Sequence, residues 1–242
     1  MRKQESDTVF INQNRFLLCR NDKKMSTKEK KPWPTKDVMH QIYNEHLWGG
    51  KEFDFYSGDG SHNPKITKPY LDAVTYFFKS QNNALVVCDL GCGDFNIGKH
   101  LVEHTQNYIA IDIVDVLIER NKSLFQHDNL EFHCLDVVKD KLPEADCIIL
   151  RQVLQHLSNE EIQKIIRKIT AYKYAILTEH LPFGQFEPNK NKIASQGIRL
   201  KQHSGVDVSE APFNLKFKTK KTLAETILDN NKSKIKTILY TL

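Results

Sequence analysis

The sequence predicts an α/β fold: a seven-stranded, mostly parallel sheet with helices on both faces and an antiparallel C-terminal hairpin. Three observations carry this. From residue 84 onward, short apolar β-rich runs alternate with amphipathic stretches, the rhythm of a parallel sheet covered on both sides. One such run ends in Asp89-Leu90-Gly91-Cys92-Gly93 just before a helical stretch, a glycine turn that lets backbone approach a ligand closely at the carboxyl edge of the sheet. Near the C-terminus, two β-like runs are separated only by Asp229-Asn230-Asn231-Lys232, a link short enough to require antiparallel neighbours.

In chain order, residues 1–36 carry ten Lys/Arg against four acids and read as a basic, flexible tail. Met25 within it is a second candidate start. Residues 37–83 read as an N-terminal helical cap and substrate-side loop. Val38, Ile42, Tyr43, His46 and Leu47 follow a helical period up to Gly49-Gly50, the loop Tyr56-Ser57-Gly58-Asp59-Gly60-Ser61 follows, and Thr67 is placed to cap a helix carrying Tyr70, Leu71, Val74, Phe77 and Phe78. Residues 84–242 form the main domain, with strands expected at 85–89, 108–112, 130–135, 147–150 and 174–178, and helices near 97–104, 114–125 and 159–170. Ser158 stands three residues before Glu161, the spacing of a capping box. An irregular insertion rich in Pro and Gly covers 180–214, and the hairpin runs 222–228 and 235–240 close the chain.

Composition narrows the function. With 242 residues and 40% hydrophobic side chains, one large core is attainable without disulfide staples. The longest apolar runs, 84–88 and 147–150, fall far short of the ~20 residues that cross a bilayer. Five cysteines, Cys19, Cys88, Cys92, Cys134 and Cys147, contain no Cys-x-x-Cys pair. That pattern suits reduced thiols rather than a zinc or disulfide framework, so no metal is expected and a cytoplasmic location is. The net charge of +5 resides in the tail, leaving the body near neutral, so nucleic acid is not the expected partner.

Electrostatics then separates the ligands that a glycine turn can take. A dinucleotide fingerprint needs a third glycine where Asn96 stands, and the carboxylates of Asp89 and Asp94 flank the turn, where they would repel a pyrophosphate. A P-loop is excluded because Gly-Lys-Ser/Thr is missing. S-adenosylmethionine has no phosphate and carries a sulfonium and an ammonium, which the same acids favour. Asp112 ends the second strand, where a carboxylate can accept both ribose hydroxyls, and Asp136 ends the third, placed for the adenine amino group with the Val137 backbone against the ring.

With these residues in view, the chain resembles the class I S-adenosylmethionine-dependent methyltransferases, over roughly 84–180. The resemblance rests on Asp89-Leu90-Gly91-Cys92-Gly93, Ile111-Asp112, Leu135-Asp136-Val137, and Asp146-Cys147-Ile148-Ile149-Leu150 leading into Val153-Leu154-Gln155-His156-Leu157. It implies a Rossmann-like fold, S-adenosyl-L-methionine as cofactor, and a cofactor site built from Asp89, Gly91, Cys92, Gly93, Asp112, Ile113, Asp136, Val137 and Arg151. Phe95 departs from the pattern by standing where many members have a third glycine, which points to an aromatic packing residue at that corner. Tyr56 to Ser61, Gln152 to Ser158 and Pro212-Phe213-Asn214-Leu215 are similar to a bacterial subgroup of stand-alone methyltransferases, some associated with surface-glycan pathways.

Methyl transfer is an in-line displacement, so the enzyme's main contribution is to position the acceptor and exclude water, which can supply on the order of 7 to 11 kcal/mol. Where the acceptor must lose a proton, His156 after the fourth strand and Glu179 and His180 after the fifth are the candidate catalytic residues. Tyr56, Arg199 and Asn214 are the candidate acceptor contacts, with Arg199 and Arg151 suited to gripping an anion. The expected reaction is transfer to oxygen of a small-molecule or glycan-precursor acceptor. An amino-directed nucleic-acid enzyme would show Asn/Asp-Pro-Pro-Tyr/Phe where this chain has Leu150-Arg151-Gln152-Val153. The alternatives are a catalytically inert cofactor-binding regulatory subunit and a protein or RNA methyltransferase.

Overall fold

The structure, a computed structural model, describes residues 32–228 and 231–242. Most of the expected basic tail, with Cys19, lies outside the described residues, as do Asp229 and Asn230 of the hairpin turn. Seven apolar runs form strands: β1 Val86–Leu90, β2 Asn107–Asp112, β3 Leu130–Cys134, β4 Cys147–Arg151, β5 Tyr174–Pro182, β6 Thr219–Leu228 and β7 Ser233–Thr241. They make one sheet in the order β3-β2-β1-β4-β5-β7-β6. The first five pair in parallel, and β7 joins antiparallel to both β5 and β6, so the chain does finish in a hairpin. The strand order reverses between β1 and β4, and the crevice at such a reversal is where open α/β sheets bind ligands.

Alternation along the strands feeds two separate cores. Val87, Cys147, Ile149 and Ile176 face helix α3 (Pro64–Lys79), meeting Tyr70, Val74, Phe77 and Phe78. Cys88, Leu90, Ile148, Leu150, Ala175 and Leu177 face α5 (Asn159–Ile169), meeting Ile162, Ile165, Ile166 and Ile169. Each buried Val, Leu, Ile or Phe side chain among these is worth about 1.5 to 3 kcal/mol relative to exposure. Helix α1 (Thr35–Asn44), the single turn α2 (Asp59–His62) and α4 (Asp115–Leu124) complete the helices. Thr35 and Lys36, read from sequence as the end of the tail, open α1.

The capping box at α5 is present: Ser158 Oγ accepts the Glu161 N–H and Glu161 Oε2 accepts the Ser158 N–H at 2.9 Å. Ser158→Ala is expected to cost about 1 kcal/mol, read as a lowered urea midpoint at unchanged slope.

Three boundaries differ from the sequence reading. Helix α3 starts at Pro64, with Asn63 as its cap accepting from the Lys65 N–H at 3.0 Å. Thr67 is therefore inside the helix; proline at the first helical position sets φ before Thr67 can act. Residues 97–104 form two 3-10 turns, Gly98–His100 and Val102–His104, rather than one helix. Gly98 weakens helix there, and a Cβ at that position would lie 2.3 Å from the Phe95 ring. Strand β5 runs on to Pro182 because β7 pairs with it residue by residue as far as Ser233. That extension places Glu179 and His180 inside a strand, on opposite faces of the sheet.

Candidate active site

The glycine turn after β1 is shaped by close packing. Gly91 has φ +87°, and a Cβ there would lie 2.5 Å from Val153 Cγ2; at Gly93, φ +58°, it would lie 2.3 Å from Ser57 Oγ. Both positions require glycine. The N–H groups of Gly91 and Cys92 donate to the Ile111 carbonyl at 2.8 and 2.9 Å. Asp112 Oδ2 accepts the Gly93 N–H at 3.1 Å, and buried Asn121 donates to the Gly93 carbonyl at 2.7 Å. The tip of β2 and the second half of α4 thus hold the turn in place.

Above this turn lies a cavity of about 760 Å³. Asp89, Asp112 and Asp136, at the tips of β1, β2 and just beyond β3, line it together with Gly91, Cys92, Gly93, Ile113, Val137 and Arg151. The fold brings every one of these candidates to a common wall. Burial pushes the Asp89 carboxyl up to about 6, against the pull of the Tyr108 hydroxyl that donates to it at 2.8 Å and of the nearby Arg151 charge. Burial likewise raises Asp112, against the N–H groups of Val114, Gly93 and Ile113 that favour its ionised form. Asp136 accepts the Val138 N–H at 2.9 Å and pairs with Lys139 at 2.8 Å.

The wall also holds donors without partners. Arg151 donates to the Gly60 carbonyl and, at 3.1 Å, to Ser61 Oγ, with its guanidinium 4.9 Å from the centre of the Tyr70 ring. Its Nε and the Tyr70 hydroxyl are both buried with no hydrogen-bond partner among the described residues, and both residues line the cavity. A carboxylate facing two orphaned donors is complementary to an α-amino acid: an ammonium for Asp89, a carboxylate for Arg151 and Tyr70. The residues present therefore fit the amino-acid end of S-adenosylmethionine. Tyr70 escaped the sequence reading because its helical spacing assigned it to the core.

The cavity continues past β1 across the tips of β4, β5 and the hairpin, where Gln152, Gln155, His156, His180, Leu228 and Ile235 line it. His156 follows β4, whereas His180 reaches the cavity from within β5 rather than from a loop after it. His156 is buried, and that burial pushes its imidazole down to about 4. His180 Nε2 lies 2.9 Å from Ser233 Oγ.

Four other sequence candidates lie outside this wall. Glu179 faces the opposite side of the sheet, in a separate cavity of about 100 Å³ with Lys236, Asp207 and Tyr240. Burial pushes its carboxyl up to about 8, against the Arg199 charge and the backbone N–H groups of Gln155 and Leu154 that favour its ionised form. Arg199 is 1% exposed and spends its N–H groups on the carbonyls of Lys190, Leu154, Gln155 and Leu157 and on Asn159 Oδ1, at 2.8 to 3.4 Å. No donor is left for an anionic acceptor, so Arg199 clamps the insertion to the β4–α5 loop instead. Tyr56 stacks on His62 and Phe53, with ring centres at 4.4 and 5.4 Å. Asn214 is exposed in a left-handed turn at φ 49°.

Glu179 makes a prediction. An unfolded-chain glutamate titrates near 4.5, whereas the folded carboxyl keeps its proton to about 8. Stability is highest below the lower value and falls as pH rises through this window, because the unfolded chain has then released a proton that the folded one retains. Glu179→Gln is expected to be more stable than wild type by about 2 kcal/mol at high pH, with the slope between these values reduced, since the amide cannot ionise but also forgoes attraction to Arg199. Urea midpoints across the window check it.

Sequence reasoning did not find the strap over the turn. Asp94 Oδ2 accepts the Ser57 N–H at 2.9 Å and lies 2.5 Å from His62 Nε2, while the Asp94 N–H donates to Ser57 Oγ at 2.8 Å. Tyr43, whose hydroxyl is 3.0 Å from Ser57 Oγ, and Trp48 also line the cavity. The Ser57 to Ser61 run was visible as a loop, but not its partner.

An acid-tipped crevice at the reversal point of such a sheet, closing in an antiparallel hairpin, defines a class I methyltransferase architecture. Residues 87–172 match the family described as "Methyltransferase domain". Phosphoethanolamine N-methyltransferase 1 of Zea mays is 31% identical over 91 residues, 36% of this chain; the match spans only 18% of that relative's length. Among solved structures, the N-methyltransferase NodS of Bradyrhizobium japonicum with S-adenosyl-L-homocysteine aligns at TM-score 0.59 and 13% identity, covering 83% of this chain and 98% of that one. Human N-acetylserotonin methyltransferase with S-adenosylmethionine aligns at 0.55 and 16%, covering 86% and 60%. Magnesium protoporphyrin IX methyltransferase of Synechocystis, also with S-adenosylmethionine, aligns at 0.52 and 15%, covering 86% and 97%. These likenesses establish the fold. Residues 87–172 thus match a methyltransferase domain, set in a class I methyltransferase fold. Among the described residues no helix is long and apolar enough to cross a membrane.

Proposed function

We propose that this protein transfers a methyl group from S-adenosylmethionine to oxygen on a small-molecule or glycan-precursor acceptor. The observation that carries the reading is one continuous cavity, with the three acids and the Arg151–Tyr70 donors at one end and His156, His180 and Gln155 at the other. Its volume of about 760 Å³ is ligand-sized, and walls from α1, Trp48, 57–61, 196–198 and Leu200 and Lys201 narrow its approach, which favours a compact acceptor over a polymer surface.

S-adenosylmethionine supplies an electrophilic methyl group on a sulfonium. The chain's own residues do the rest: Asp89, Arg151 and Tyr70 bind the amino-acid end, Asp112 the ribose, and Asp136 and Val137 the adenine. The apolar side chains of Val153, Leu228 and Ile235 exclude water, and positioning in such a site is the main source of acceleration. His180, which lines the cavity at the acceptor end, takes the hydroxyl proton, because burial pushes the neighbouring His156 imidazole down to about 4 and leaves it a weak base.

Incubation with methyl-labelled S-adenosylmethionine and fractionated cell extract tests the reading. Label is expected in free metabolites or lipid-linked sugars, as a methyl ether or ester. Label confined to RNA or protein would defeat it, and binding of the cofactor without turnover in any fraction would favour an inert subunit.

A further inference from the structure

The acceptor side of the cavity contains an amide with a fixed orientation. Gln155 Oε1 accepts the backbone N–H of His180 at 3.1 Å, which turns its Nε2 toward His156 Nε2 at 3.3 Å. An amide nitrogen can only donate, so His156 Nε2 is the bare, accepting ring nitrogen. The ring proton then sits on Nδ1, where the Ser195 carbonyl accepts it at 3.3 Å. His156 is packed against Trp48, ring centres 5.1 Å apart, and burial favours the neutral imidazole. The backbone carrying both side chains is held in turn, because Arg199 ties down the carbonyls of Leu154, Gln155 and Leu157. One amide hydrogen of Gln155 is thereby used. The second has no acceptor among the described residues, and Gln155 lines the cavity.

We propose that Gln155 is the specificity-determining residue of the acceptor side: its locked amide presents one N–H to an oxygen lone pair on the acceptor, so that the site takes hydroxyl-, carbonyl- or carboxylate-bearing molecules. The proposal rests on the methyl-transfer reading of the cavity and names its substrate class. An acceptor offering an ammonium at this point sets donor against donor and leaves the amide hydrogen unpaired, the arrangement by which a hydrogen-bonding site rejects the wrong ligand most strongly. His156 acts here as a positioning residue, as does Arg199 through the backbone.

Two measurements test this. Nitrogen-15 NMR of the histidine rings in the protein alone is expected to show His156 as the neutral Nδ1–H tautomer throughout the neutral range, and Gln155→Glu, by placing a carboxylate against Nε2, is expected to convert it to the doubly protonated ring. With methyl-labelled S-adenosylmethionine and a small-molecule extract, Gln155→Leu is expected to lower label transfer by about 30-fold while calorimetric affinity for S-adenosylhomocysteine stays within about threefold of wild type. A wild-type Nε2–H tautomer, or label transfer by Gln155→Leu at the wild-type rate, overturns the proposal. A wild-type protein that ignores S-adenosylhomocysteine overturns the methyl-transfer reading instead; the tautomer, measured without ligand, still decides whether the amide is locked.

Discussion

Asp89→Asn is expected to weaken S-adenosylhomocysteine binding by about 100-fold at pH 7.5, and to remove a pH dependence that the wild-type protein shows at lower pH. The first effect follows from the loss of a charge-assisted hydrogen bond to an ammonium in a buried site, worth on the order of 1.5 to 3 kcal/mol. The second follows from the raised carboxyl. Because burial holds Asp89 up to about 6, the ligand-free protein protonates it below that pH, and an ammonium can bind well only once that proton has left. Wild-type affinity is therefore flat above this value and falls by about tenfold per pH unit beneath it. Asparagine has no proton to lose, so its weaker affinity stays level across the same range. Calorimetry between pH 5 and 8 with both proteins checks slope and offset separately. An Asp89→Asn protein with wild-type affinity at pH 7.5 would place the ligand's ammonium elsewhere, and a level wild-type profile would mean that Asp89 is ionised before the ligand arrives.

The proposed cofactor half of the site was legible in sequence because its residues are fixed by strand tips. A parallel strand ends at a predictable place, and Asp89, Asp112 and Asp136 follow that rule within a residue or two. The acceptor half was less legible because it depends on where strands stop and what insertions cover. Reading β5 to residue 178 left Glu179 and His180 together in a loop, whereas four further residues of pairing with β7 send one to each face. No local pattern in 174–182 announces that extension; it comes from the partner strand. Arg199 misled for a different reason. An arginine in an irregular insertion reads as a surface cation, and only the fold reveals that five oxygen acceptors converge on it. Tyr70 shows the converse: its periodicity correctly assigned it to a buried helix face, but periodicity says nothing about whether a buried hydroxyl finds a partner.

Phe95 joins the sequence departure to the energetics of the turn, and substitutions there are expected to invert the usual order of alanine and glycine. The residue has φ 62°, the left-handed region that a bulky side chain rarely adopts and that costs on the order of 1 to 2 kcal/mol for a residue with a Cβ. The backbone has thus kept the conformation for which glycine is suited while carrying an aromatic ring. What offsets the strain is burial: the ring is fully enclosed and meets Phe132, Phe125 and Tyr108 edge-on, with centres at 4.8, 5.2 and 5.8 Å. Phe95→Ala removes the ring and keeps the strain, so it is expected to cost about 3 to 5 kcal/mol. Phe95→Gly opens a similar void but releases the strain, and is expected to be about 1 kcal/mol more stable than the alanine variant, although glycine is ordinarily the more costly replacement. Urea denaturation of the three proteins gives both differences. An alanine variant as stable as the glycine one would show that the turn relaxes once the ring is gone, and that aromatic packing forces the left-handed conformation rather than compensating for it.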